Sequence, residues 1–180
     1  MRTCVALVRG INVGGHNRVA MPDLRRLGER LGFEDVRSLL QSGNLVFRSD
    51  TRDAGELERR LEEEAKRRLR LSAAFFVRTA DEWASLVKGN PFRDEAVRDP
   101  AHLLAVLMRE APRAGAVESL RAAIKGPEQV EARGREAYFY YPAGVGRSKL
   151  THNLIEKTLG EIGTARNWNT VLKLLALTRS

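Results

Sequence analysis

One order of elements, strand-helix-strand-strand-helix-strand, can be read twice along this chain, and that repetition limits the possible folds more than any other feature. The run Thr3 to Val8, TCVALV, is apolar throughout, too short for a helix and rich in β-branched residues, so it predicts a strand buried on both faces. Met21, Leu24, Leu27 and Leu31 then recur at helical spacing, with Pro22 tolerated in the first turn and Gly32 as a stop. Asp35 to Leu40 and Asn44 to Arg48 form two short strand-like runs around Gln41-Ser42-Gly43, whose glycine suits a hairpin turn. From Asp53 to Arg70 the stripe Leu57, Leu61, Ala65 and Leu69 predicts a long helix, with Glu62–Lys66 and Glu63–Arg67 as i,i+4 pairs on its wet side. Ala73 to Arg78 supplies a fourth strand and completes β-α-β-β-α-β, the ferredoxin-like unit.

The order then returns. Asp81 to Val87 predicts a short helix, and Gly89-Asn90-Pro91 opens a linker that runs to about Pro100. His102 to Met108 reads as a strand, Ala114 to Ile124 as a helix, and Gln129 to Ala132 with Ala137 to Tyr141 as a hairpin around Arg133-Gly134-Arg135. Lys149 to Leu159 reads as a helix and Thr164 to Arg166 as a closing strand. A last helix, Thr170 to Leu177, lies outside the pattern and is too apolar to stay exposed, so it is expected to pack across it. The expected fold is α+β: two tandem ferredoxin-like (βαββαβ) subdomains, residues 1–80 and 101–180, joined by a helical linker at 81–100, with the extra C-terminal helix in the second.

A chain of 180 residues and 20.2 kDa accommodates two such units. With 43% hydrophobic and 30% charged residues it can bury a core, which excludes a disordered or fibrous chain. No apolar run reaches the length of a membrane span, and MRTCVALVRG lacks the pattern of a secretory signal, so the reading is of a cytoplasmic protein with no membrane partner. The single Cys4 excludes an intrachain disulfide, and inside an apolar strand its thiol reads as an inert core group. Lys plus Arg number 31 against 23 Asp plus Glu, a net charge of +8 that would suit a polyanionic partner. The excess is even, because residues 1–90 carry 17 basic and 13 acidic side chains and residues 91–180 carry 14 and 10. There is no basic tail, and the charge by itself marks no site.

Three segments carry candidate chemistry. Arg9-Gly10-Ile11-Asn12-Val13-Gly14-Gly15-His16-Asn17-Arg18 joins a strand to a helix, where backbone N–H groups can face an anion and glycines allow its close approach. It matches neither G-x-x-x-x-G-K-[ST] nor G-x-G-x-x-G, and a solvated turn accounts for it equally. Gly144-Val145-Gly146-Arg147-Ser148-Lys149 precedes a helix in the second unit, with Ser148 as expected N-cap and two cations beside the positive end of the dipole. Arg166-Asn167-Trp168-Asn169-Thr170 sets a guanidinium, two amides and an indole before the last helix. There Arg166 can grip phosphate, while Trp168 can stack on a ligand or simply pin the helix, and Asn169 can cap it. His16, His102 and His152 have no metal-ligand spacing, so no metal and no cofactor is expected. Tyr138-Phe139-Tyr140-Tyr141 alternates across one strand, so two rings are expected in the core and two within reach of water. Without aromatics on the first strand, base stacking on the sheet is not expected.

Four stretches, ALVRGINVGG at 6–15, LGFEDVRSLLQSGNLVF at 31–47, GRSKLTHNLIEKTLG at 146–160 and TARNWNTVLKL at 164–174, resemble the signature segments of the domain-of-unknown-function family 1697. The resemblance spans nearly the whole chain. It implies tandem ferredoxin-like subdomains with an added C-terminal helix, and it implies no activity, substrate or catalytic residue. One departure is His16, where such proteins often carry Lys in GGxN.

Three functions compete at this stage. The first is binding of a phosphate-bearing ligand, a nucleotide or nucleic-acid end, through Arg9, Gly10, Asn12, Gly14, Gly15, Asn17, Gly146, Arg147, Ser148, Lys149, Arg166, Asn167 and Trp168. That reading expects Arg9, Asn12, Arg147, Lys149 and Arg166 to meet at one cleft. The second is a metal-independent enzyme on such a ligand with His16 as general acid or base. The third is an interaction module in which Trp168 and the terminal helix build a homo-oligomer interface.

Overall fold

The computed structural model describes residues 1–180. In the first half, β1 (Arg2–Val8), α1 (Met21–Arg30), β2 (Glu34–Leu39), β3 (Asn44–Ser49), α2 (Ala54–Leu69) and β4 (Phe75–Thr79) follow in order. Two helices come next, α3 (Ala80–Lys88) and α4 (Arg93–Arg98). In the second half come β5 (Leu103–Met108), α5 (Ala116–Ala123), β6 (Gln129–Arg133), β7 (Glu136–Tyr140), α6 (His152–Leu159), β8 (Gly163–Asn167) and α7 (Trp168–Thr178). The strands form two antiparallel sheets of order β2-β3-β1-β4 and β6-β7-β5-β8, so each half is a ferredoxin-like unit. Register carries the duplication into detail. Val5 pairs with Arg78 as Ala105 pairs with Arg166, and in each case the arginine is buried and donates from Nη1 to the preceding carbonyl, at 2.9 and 2.8 Å.

Chain contacts divide the molecule into Met1–Ser85 with Lys173–Ser180, and Leu86–Leu172. By these contacts the end of α7 belongs to the first unit, and the residues expected as a helical linker, 81–100, fall partly in each. Arg37 on β2 holds that end, donating to the Leu177 carbonyl at 3.0 Å and to the Ser180 hydroxyl at 2.6 Å. Within α7, Val171 and Leu174 are fully buried while Leu172 stays 42% exposed. No helix is long and apolar enough to cross a membrane.

Each unit has its own core. In the first, Ala6, Val8, Leu45, Phe47 and Val77 on one sheet face meet Leu24 and Leu27 of α1 and Leu57, Leu61 and Ala65 of α2. In the second, Val106, Met108, Ala137 and Phe139 meet Leu120 of α5 and Ile155 and Leu159 of α6. Burying each such side chain stabilises the fold by about 1.5–3 kcal/mol, which explains why the helical and strand periodicities are legible. Charge behaves differently from its pattern. Glu58 and Glu62 of α2 do not sit in water pairing along the helix; their carboxylates accept the backbone N–H groups of Val77 and Phe75, both at 2.9 Å. They satisfy the outer edge of β4, an edge strand that would otherwise expose its donors.

The aromatic run also departs from expectation. All four rings of Tyr138, Phe139, Tyr140 and Tyr141 are buried. Tyr138 packs against Trp168 with ring centroids 6.4 Å apart and donates to the Leu86 carbonyl at 2.7 Å. Tyr140 lies against Phe92, so the second face of this sheet is covered too.

Candidate functional site

Residues 9–20 join β1 to α1 and form a loop closed largely on itself. Asn12 and Asn17 both take positive φ, 55° and 48°, a conformation open to asparagine at small cost. Asn12 Nδ2 donates to the carbonyls of Val19 at 3.0 Å and Gln41 at 2.7 Å, and its Oδ1 accepts from Val19 N at 2.8 Å. Asn17 Nδ2 donates to the Gly10 carbonyl at 3.2 Å, and Asn12 N donates to the Asn17 carbonyl at 3.1 Å. Both asparagines therefore hold the loop's own backbone. His16 N is occupied by the Val13 carbonyl, whereas the Gly14 and Gly15 amides make no hydrogen bond within the protein. The loop rests on the β2–β3 hairpin, where Gly43 at φ +81° lies so close to Ile11 that a Cβ would come within 2.5 Å of its Cδ1. A shallow groove of about 500 Å³ beside it is lined by Asn12, Gly15, Arg18, Val19, Ala20 and Gln41. Arg18 is exposed and unpaired there, and the exposed His16 has no side-chain partner. Arg9 donates its backbone N–H to the Ala74 carbonyl at 2.9 Å.

The second long connection is not the counterpart of the first. It follows β7, where the first unit passes from Ser49 to Ala54 by a short turn; the counterpart of the glycine loop is the shorter connection of residues 109–115. Nor does Ser148 cap α6. That helix begins at His152 and is capped by Thr151, whose hydroxyl accepts from Leu154 N at 3.2 Å, while Val145–Arg147 form a single 3-10 turn. The amides of Gly144, Arg147 and Ser148 are taken by Tyr141, Gly144 and Val145 carbonyls, so this segment presents side chains rather than a row of N–H groups. Ser148 instead acts as a clasp: its hydroxyl donates to the Glu128 carboxylate in a short bond and accepts from Leu150 N at 3.0 Å.

The clasp joins two loops around a cavity of about 460 Å³. Its apolar wall comes from Ile124, Leu150 and Leu154, and its charge from Lys125, Arg147, Lys149 and Glu128. Lys125, Arg147 and Lys149 are exposed and take part in no ion pair or side-chain hydrogen bond, while Glu128 is held by Ser148. Three unpaired cations over an apolar wall suit an anion that carries an apolar or aromatic portion. Lys125 and Glu128 escaped the sequence reading because the cavity joins segments about twenty residues apart; their only local signal is the turn KGPE after an amphipathic helix.

Of the candidates next to the last helix, Arg166 and Trp168 are interior and Asn167 is half-buried. Arg166 is 8% exposed and donates to the Thr164 hydroxyl at 2.9 Å and the Ala165 carbonyl at 2.8 Å; burial pushes its pKa down to about 10. Asn167, not Asn169, caps α7, its Oδ1 accepting from Thr170 N at 3.0 Å. Trp168 is 3% exposed, packed on Tyr138 rather than open to a ligand or a second copy. Of the five residues expected at one cleft, Arg9 and Asn12 belong to the first unit and Arg147, Lys149 and Arg166 to the second, where only Arg147 and Lys149 line the same cavity. No group of three or more His, Cys, Asp and Glu side chains comes together that could hold a metal ion.

Comparison with known proteins bears on the fold. A solved structure of conserved bacterial protein SP0830 from Streptococcus pneumoniae is similar with a TM-score of 0.71 and 24% identity, covering 98% of this chain and 98% of that one. No curated protein matches the chain. The family described as "Protein of unknown function (DUF1697)" matches over residues 1–138, which takes in the glycine loop and the Lys125–Glu128 wall of the cavity but stops short of Arg147 and Lys149. With more than two thirds of its length matched, the chain belongs to the DUF1697 family.

Proposed function

We propose that this protein binds a phosphate-bearing ligand, a nucleotide or the phosphorylated end of a nucleic acid, in the cavity of its second unit. The observation that carries this reading is the placing of Lys125, Arg147 and Lys149, none of them ion-paired, around one apolar-walled cavity. Ligand phosphate would accept charge-assisted hydrogen bonds from the three cations, each worth about 1.5–3 kcal/mol. A base or other apolar portion would lie on Ile124, Leu150 and Leu154. Glu128, turned toward Ser148, would refuse a second anionic group on its side and so favour one orientation.

A thermal-shift screen tests the reading, with ADP, pyrophosphate and a 5′-phosphorylated oligonucleotide at low and moderate salt. A binder stabilises the fold by mass action. The expected result is a rise in melting temperature that persists in moderate salt for at least one probe and is lost when Lys125, Arg147 and Lys149 are all changed to Gln. A rise that vanishes with salt marks general attraction to a basic protein and contradicts the reading.

A further inference from the structure

The cationic cavity holds one group that phosphate binding leaves unused. Lys125, Arg147 and Lys149 provide for an anion and Ile124, Leu150 and Leu154 for an apolar portion, yet the Glu128 carboxylate lines the same cavity, where it would repel phosphate. The chain takes some trouble to place it. α5 ends at Ala123, and the turn Lys125-Gly126-Pro127, stiffened by the fixed φ of proline, brings Glu128 round just before β6. Ser148 donates to Oε1 in a short bond. Oε2 lies against Gly126, another residue of the cavity wall, and a Cβ at that position would collide with it. Gly126 does not take a positive φ, so the glycine is there to make room and not to make the turn. Half-buried and held in this way, Glu128 keeps Oε2 free of any hydrogen bond or ion pair within the protein.

An ionised carboxylate only accepts hydrogen bonds, so what it can recognise is a donor. Ile124 and Glu128 stand at the two ends of one turn, which puts the carboxylate at the border of the apolar wall on which a base would lie. Among the common bases guanine alone sets two donors side by side on its pairing edge, N1–H and the 2-amino group. Adenine and cytosine place an acceptor next to their amino group, and uracil flanks N3–H with two carbonyls, so each would turn a lone pair toward the carboxylate. A cavity of about 460 Å³ lies within the range of sites for ligands of this size.

We infer that Glu128 makes the cavity selective for a guanine nucleotide, a specificity that rests on the phosphate-binding reading above. The phosphates lie on Lys125, Arg147 and Lys149, the ring lies on Ile124, Leu150 and Leu154, and the carboxylate accepts from N1–H and the 2-amino group. Ser148 and Gly126 are positioning residues: one fixes Oε1 and the other leaves space for Oε2.

Calorimetric titration of the full chain with GDP, IDP, ADP and pyrophosphate at moderate salt tests the inference. GDP is expected to bind about tenfold or more tighter than ADP, with IDP, which lacks the 2-amino group, between them. Glu128→Gln keeps an acceptor for Ser148 but sets a donor beside it, a pattern that fits the adenine edge. It should abolish the preference for GDP, while pyrophosphate, which has no base, binds at least as tightly as before; a merely structural role would not move the ratio of GDP to ADP. Gly126→Ala pushes the carboxylate aside without removing its charge and should shrink the preference in the same direction, so it decides the question if Glu128→Gln fails to fold. Equal affinity for GDP and ADP in the parent, or a preference undiminished in Glu128→Gln, overturns this inference and leaves phosphate binding standing. Failure of GDP, ADP and pyrophosphate alike to bind overturns both.

Discussion

The two long connections look alike as text, each a glycine-bearing basic segment between a strand and a helix, and they do opposite things. Residues 9–20 of the first unit turn inward: Asn12 and Asn17 bond the loop's own carbonyls, and Gly43 lets the hairpin close against Ile11. The connection that carries Gly144 to Lys149 turns its backbone onto the Tyr141, Gly144 and Val145 carbonyls and is clasped by Ser148 on Glu128, yet it leaves the side chains of Arg147 and Lys149 unpaired at a cavity. Glycine content does not distinguish them. The difference lies in the side chains between the glycines: Asn12 and Asn17 turn theirs onto backbone carbonyls and tie the loop down, whereas Arg147 and Lys149, which carry donors and no acceptor, keep theirs for a partner outside the segment.

That contrast can be broken by substitution, most severely at the anchor of the sealed loop. Gly43→Ala places a methyl group against Ile11 at positive φ, and overpacking with backbone strain should cost about 3 kcal/mol in urea unfolding. A loss under 1 kcal/mol would mean that the loop is not seated as described. Asn12→Ala removes the donor to two carbonyls and the acceptor for Val19 N, and should cost about 2 kcal/mol. On the open side the effects should be smaller. Ser148→Ala releases Glu128 and should cost about 1 kcal/mol, while Arg147→Gln and Lys149→Gln should stay within about 0.5 kcal/mol of the parent. Equal losses from Asn12→Ala and Arg147→Gln would erase the distinction.

Alkali sharpens the same comparison, because the first unit holds the only cysteine and the second all three tyrosines. Burial pushes the Cys4 thiol up to about 11 from 9.0, and the Tyr138 and Tyr141 phenols up to about 12 from 10.0. In each case the folded state holds its proton longer than the unfolded chain. The stabilisation is therefore fully present below the unfolded values and is lost as pH rises through the folded ones. Stability should start to fall near pH 9, from Cys4, and fall more steeply above pH 10, once the tyrosines contribute. Native Cys4 should resist alkylation at pH 9.0, where an unperturbed thiol is about half ionised. Phenolate absorbance that rises fully by pH 10.5, well below the folded values, would contradict the burial of the second unit's rings.

The contrast also shows where sequence is informative. Strand order and helix faces were legible because burial imposes periods of two and 3.6 on residues such as Leu57, Leu61 and Ala65. Contacts across the chain were not. Glu62 reads as a partner for Lys66 until β4 is in place to offer Phe75 N, and Ser148 reads as a helix cap until Glu128 arrives beside it. Arg166 satisfies every local criterion for a phosphate contact and lies in the interior, because pairing with β5 at Ala105 carries it there. Asp99 and His102 are separated by Pro and Ala in an ordinary turn, and nothing local announces that the Tyr140 hydroxyl shares their carboxylate oxygen.

Calorimetric titration with ADP at moderate salt tests the central claim most directly, comparing the parent chain with Lys125→Gln/Arg147→Gln/Lys149→Gln and with Arg18→Gln from the sealed loop's groove. The account predicts saturable binding by the parent and by Arg18→Gln, and a loss of about 100-fold or more in the triple variant. Unchanged affinity in the triple variant, or loss of binding in Arg18→Gln alone, would contradict it.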